Sequence, residues 1–186
     1  MPIFNQPFLE SGCDIIPLVN QADANTDITG DWVKLRDYTR VSVLLAKYGT
    51  EDVDDLGLQF LQGQDATGTG SKALSMPANT RVWYKTGVLT SQTVWTAATA
   101  FTAAVDGIAF GSSVPTGFTR VIADVNTDAL LVMVDFETTQ LDIDGAFDWF
   151  TVFIEGDSVN NACLMSLWAI LMGGRFPQNV PLSAIS

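Results

Sequence analysis

The sequence predicts an all-β protein: an antiparallel β-sandwich, jelly-roll-like, with extended N- and C-terminal arms. Three observations lead there. Short runs rich in Val, Ile, Leu, Phe and Trp alternate with polar residues, and turn-forming clusters of Asn, Asp, Gly and Thr separate them. No long segment repeats apolar residues at helical spacing. Several runs are apolar on both sides, which suits strands covered by two layers. The Cys-Trp-Cys spacing of antibody domains is absent, which favours a jelly roll among the sandwiches.

The elements follow in order. Residues 1–29 read as an N-terminal arm, because Pro2, Pro7, Pro17 and the polar stretch "NQADANTDITG" oppose regular structure. Within it "CDIIPLV" is the one candidate extended piece. Residues 30–174 form the sandwich domain. In "GDWVKLRDYTRVSVLLAKYGT" Val33, Leu35, Val41, Val43 and Leu45 share one side of an extended chain. Trp32, Tyr38, Leu44 and Ala46 make the other side half apolar. A break is expected near Asp37, with the stronger half from Thr39 to Tyr48. "GTEDVDDLG" is a loop, "LQFLQGQD" a strand, "ATGTGSK" a turn and "KALSM" its return strand. "TRVWYKTG" and "SQTVWTAA" are further strands. "AATAFTAAV" reads as one or two helical turns, since Trp95, Ala98, Phe101 and Val105 fall at helical spacing. After the loop "GSSVPTG" come four strands, "FTRVIADV", "ALLVMVDFE", "FDWFTVFIE" and "CLMSLWAILMG". Residues 175–186, with two prolines, form a C-terminal tail.

Charge and composition exclude several classes. The 186 residues carry 21 carboxylates against nine lysines and arginines, a net charge of −12. No basic cluster is present to hold a polyanion, so neither nucleic acid nor an anionic membrane is a partner. The apolar run "ACLMSLWAILM" falls short of the roughly 20 residues of a membrane helix. "MPIFNQPFLES" lacks the basic start and apolar core of a signal peptide, so the chain reads as made in the host cytoplasm. Cys13 and Cys163 read as two reduced, half-buried thiols, and a disulfide between them stays open as the alternative.

No motif carries catalysis, a cofactor or a metal. The chain contains no histidine, which removes the usual general base and the Ser-His and Cys-His nucleophiles. In "LDIDGAFDWFT", placing Gly145 at the sixth position of a calcium loop sets Gln140 first and Thr151 last, where carboxylates belong. In "GQDATGTGSK", Thr69 stands where a phosphate loop needs lysine. The chain reads as non-enzymatic.

Two runs are apolar on both sides. In "FDWFTVFIE", Phe147, Trp149 and Phe153 face one way, and Phe150, Val152 and Ile154 the other. In "CLMSLWAILM", Leu164, Trp168, Ile170 and Met172 oppose Met165, Leu167, Ala169 and Leu171. The second face is covered either by an arm of the same chain or by another subunit. Trp149, Phe150, Met165 and Trp168 are the candidate interface anchors, and Phe4 and Phe8 the candidate contacts of the arm.

"TGDWVKLRDYTRVSVLLAKYGT", "LGLQFLQGQDATGTGSKAL", "RVWYKTG" and "FDWFTVFI" resemble small virion structural proteins of tailed bacteriophages. The resemblance covers about residues 25–172; "RFPQNVPLSAIS" has no counterpart in it. It implies a decoration or cement protein on the outer surface of the capsid. Such a protein is expected to bridge subunits of the major capsid protein and to form a homotrimer at three-fold or local three-fold positions, since that closed symmetry suits a shell made of hexamers. The acidity agrees, because a protein lining the interior would be repelled by packaged DNA. Two other classes stay open: a tail or head-tail adaptor component, and a carbohydrate-binding sandwich using Trp32, Trp83 and Tyr84 as a stacking platform.

Overall fold

Antiparallel pairing of distant segments builds the molecule. The computed structural model describes residues 13–23, 26–48, 55–78, 80–86, 95–98, 101, 103–111, 118–122, 129–156 and 164–174. The strands are β1 (Asp14–Asp23), β2 (Ile28–Thr29), β3 (Val33–Lys34), β4 (Arg40–Tyr48), β5 (Asp55–Gly63), β6 (Lys72–Ala73) and β7 (Arg81–Thr86). They continue with β8 (Thr96–Ala97), β9 (Gly107–Gly111), β10 (Phe118–Ile122), β11 (Ala129–Glu137), β12 (Trp149–Glu155) and β13 (Leu164–Met172).

The first sheet has the order β1, β13, β4, β11, β7, β8. The second runs β10, β9, β5, β12, β2, with β3 also pairing β12 and β6 also pairing β5. Taking β2 and β3 as one interrupted strand, the order is that of a jelly roll. Strands one, eight, three and six (β1, β13, β4, β11) lie in one sheet, and two, seven, four and five (β2/β3, β12, β5, β9) in the other. β7 and β8 extend the first sheet, and β10 adds to the second through a parallel pairing with β9.

Alternation decides which side chains fill the space between the sheets. Val41, Val43 and Leu45 from β4, with Leu167, Ala169 and Leu171 from β13, point inwards and are buried. Leu56, Leu58 and Phe60 from β5, with Phe150, Val152 and Ile154 from β12, meet them from the second sheet. Three rings link the layers: Phe136 of the first sheet lies 5.0 Å from Phe150 and 6.0 Å from Phe60, centroid to centroid. Phe60 and Phe150 stack at 6.1 Å.

Polar side chains close the margins. The Thr151 hydroxyl donates to the Gly30 carbonyl at 2.7 Å, fixing the link between β2 and β3 against β12. The Thr138 hydroxyl donates to the Tyr38 carbonyl at 2.7 Å, and the Tyr38 hydroxyl donates to the Asp14 carboxylate at 2.5 Å. The start of β1 is thereby tied to the loop before β4.

Three expectations are corrected here. Residues 1–29 are not an arm throughout, because Asp14–Asp23 pairs with β13 along its length. That pairing, with register shifts between Pro17 and Val19 and between Val19 and Ala22, supplies the order that "NQAD" lacks by itself. The described part of "AATAFTAAV" is not helical. Phe101 is buried in the core and Val105 bridges to Met76, so their spacing reflects two separate core contacts. Gly107–Gly111, which the sequence reading leaves without an element, is strand β9.

Replacing Phe150 by Ala removes the ring in contact with both partners of this trio, and lowers stability by about 3–5 kcal/mol in denaturant unfolding. The phenol of Tyr38 is pushed up to about 12 from an ordinary 10.0, chiefly because its proton is held by Asp14 and secondarily by burial. A raised value means the contact contributes below the ordinary tyrosine range and is lost as pH climbs through about 12. A phenolate absorbance titration is expected to show a step near pH 12, which Tyr38→Phe removes.

Candidate functional site

The candidate site is the outward face of the first sheet, and strand register assembles it. Directly paired residues project to the same side of a sheet. A continuous row therefore crosses all six strands: Pro17, Trp168, Leu44, Met133, Trp83, Ala97. Trp168, Leu44, Met133 and Trp83 are each half-buried, so no described element closes over them. The neighbouring row towards the start of β4 is Ile15, Ile170, Ser42, Asp135, Arg81, with Ile15 52% exposed. The row on the other flank is Ser166, Ala46, Leu131, Lys85. Small Ser42 and Ala46, at 5% and 1% exposure, lie low between bulkier neighbours.

One end of this face is charged. Arg40 pairs with Asp135 at 2.6 Å, and the Ser42 hydroxyl also donates to that carboxylate. Arg40 is the direct cross-strand partner of Glu137. Beside them an open cleft of about 460 Å³ is lined by Arg40, Arg81, Thr80, Asp135, Glu137 and Gln140, among others. Among the described residues, the buried Thr80 Oγ1 and Gln140 Oε1 of its lining find no hydrogen-bond partner.

The candidate anchors separate into groups. Trp168 stands in the central row. Trp149 lies on the outward face of the second sheet, with the Lys34 ammonium 5.9 Å from its ring centre and Lys34 paired to Asp148 at 3.6 Å. Phe150 and Met165 are corrected: both are 0% exposed and belong to the core between the sheets, so neither reaches a partner. Their alternation within β12 and β13 puts them on the inward side, next to the half-exposed tryptophans on the outward side. Phe4, Phe8 and Cys163 lie outside the described residues. Trp32, Trp83 and Tyr84 do not form one platform. Trp32 lies over Gly63 and Gly68, where a Cβ would stand 2.7 and 2.4 Å from its ring, Trp83 is in the outward row, and Tyr84 packs against the core.

The Asp142–Gly145 turn is held by local chemistry. The Asp142 carboxylate accepts from the Lys72 ammonium and from the Gly145 N–H at 3.0 Å. Among the described residues no three His, Cys, Asp or Glu side chains gather as metal ligands. Leu44, Met133, Trp83, Arg40 and Glu137 are absent from the candidate anchors read from sequence. Alternation in "ALLVMVDFE" puts Leu131, Met133 and Asp135 on one face, but pairing with β4 and β7 is needed to complete the row.

No family model matches the chain, and no curated protein does. Among solved structures it is similar to the crystal structure of the SPBc2 prophage-derived protein YomS, with a TM-score of 0.40 and 12% identity. The match covers 87% of this chain and 93% of that one. A likeness this distant carries no argument about function. The class that the fold defines is an all-β sandwich with jelly-roll strand order.

The Lys72 ammonium, and after it the Gly145 N–H, hold the Asp142 carboxyl below the usual carboxylate range. A lowered value means the contact contributes above the ordinary aspartate range and is lost as pH falls through the lowered one. Lys72→Gln is expected to move the Asp142 midpoint back up in a carboxyl NMR titration.

Proposed function

We propose that the chain is a non-enzymatic structural protein of a tailed-phage particle, a decoration protein on the outer surface of the capsid that bridges subunits of the major capsid protein. One observation carries the assembly part of this reading: the central row of the first sheet's outward face, Trp168, Leu44, Met133 and Trp83, is apolar and left open by the described chain, as a surface that meets another polypeptide would be. Aromatic residues and methionine in such a row characterise the cores of protein interfaces. The resemblance of the strand sequences supports the reading, as does the jelly-roll order.

The mechanism is mechanical. A decoration protein resists internal pressure by burying surface across the seams between shell subunits, and a standard interface of about 1,600 Å² supplies specificity through a few anchors. With a net charge of −12, the protein is repelled from packaged DNA and stays on the outside. The segment that precedes β1, through Phe4 and Phe8, makes the shell contact.

Incubating empty shells with the purified protein and pelleting them tests this directly. Wild-type protein is expected to co-sediment, and Phe4→Ala with Phe8→Ala to lose at least about ten-fold in affinity, the effect of truncating two aromatic anchors. Unchanged binding removes the arm from the contact, and no binding by the wild type removes the decoration role.

A further inference from the structure

We infer that the outward face of the first sheet is the contact between two copies of this chain, packed face to face about a two-fold axis that runs along the strands between β4 and β11. This rests on the reading of that face as a protein contact and names what covers it. The sheet order is even, so the axis divides it equally: β4 exchanges with β11, β13 with β7, and β1 with β8. Each outward side chain then meets the residue standing equally far on the other side of the axis.

The side chains that meet are complementary. In the central row Leu44 meets Met133, Trp168 meets Trp83, and Pro17 meets Ala97. At the charged end Arg40 of each copy meets Glu137 of the other, so two ion pairs form across the axis. Ser42 meets Asp135, and Ala46 meets Leu131. Arg81 meets Ile170, along which its aliphatic stem lies, and Lys85 meets Ser166. No like charges are opposed.

Shifting the axis by a whole strand gives poorer pairings. Moving the axis one strand towards β1 sets Ile15 against Asp135 and leaves Trp83 without a partner. Moving it one strand towards β8 leaves Trp168 uncovered.

Charge balance favours a second copy despite the overall repulsion. On β13, β4, β11 and β7 the outward face bears Arg40, Arg81 and Lys85 against Asp135 and Glu137, so it is slightly cationic in a chain of net charge −12. Contact through this face keeps the acidic remainder of the two copies apart. An axis along the strands gives the aligned stacking usual for packed sheets, within about 30°. Strands of 10, 9, 9, 9, 6 and 2 residues, spaced about 4.8 Å apart and rising about 3.4 Å per residue, cover a footprint of roughly 700 Å². That is close to the roughly 800 Å² per partner of a stable interface. This two-fold pair is the alternative to the homotrimer expected from the symmetry of a shell of hexamers.

Sedimentation of the full chain over a wide concentration range tests the pairing. A species of two chains is expected. Arg40→Glu sets carboxylates against each other across the axis and is expected to weaken association at least about ten-fold. Adding Glu137→Arg restores the opposite charges and is expected to bring association back to within about three-fold of the wild type. If Arg40→Glu does not fold, Trp83→Ser, near the margin of the face, is expected to show the same weakening. A monomer, a trimer, or a dimer indifferent to charge reversal overturns the pairing. Shell pelleting keeps the two readings apart: a monomer that still binds shells overturns the pairing alone, and a dimer that ignores shells overturns the decoration role alone.

Discussion

The structure depends on β4, a strand that is apolar on both sides. This strand lies in the middle of the first sheet, between β11 and β13, and has apolar side chains on both of its faces. Inwards, Val41, Val43 and Leu45 meet the second sheet and complete a core whose centre is the Phe60, Phe136 and Phe150 trio. Outwards, Ser42 and Ala46 are sheltered by neighbours on β11 and β13, while Leu44 keeps part of its surface in water. Burial of apolar area is the main stabilising term in folding and association alike, so the same strand that organises the fold also sets the demand for company.

The inward half of this arrangement was largely legible in the sequence. Short β-prone runs such as "RVSVLLAKY" and "FDWFTVFIE" mark strands, and the pleat's period of two divides their residues into two sides. What alternation does not tell is which side faces the core. Phe150 and Met165 are as apolar as Trp149 and Trp168, and only the position of the second sheet makes the first pair interior. The outward row was illegible for a related reason. It is contributed by β1, β13, β4, β11, β7 and β8, and it exists only through pairings between segments far apart in the chain.

Where the reading failed, long-range contacts overrode local composition. "NQAD" has poor strand propensity, yet Ala22 and Asp23 pair with Met165 and Leu164. "GIAFG" has glycine at both ends, which locally signals a loop. At Gly107 the glycine is required, because the Phe118 ring lies 2.7 Å from where a Cβ would be and would have to give way. Phe101 and Val105 imitate a helical period while serving two different contacts.

The irregular margin of the first sheet has a consequence for a protein with an open apolar face. Strand β1 ends that sheet, and it carries Pro17, two register shifts and a left-handed backbone at Gln21, with φ of 48°. Proline offers no amide hydrogen, and shifted registers tilt the remaining ones out of line, so no foreign strand can zip onto this border. Growth into a ribbon is blocked at this border, so the apolar outward face, and not the β1 edge, is where this sheet can gain a neighbour.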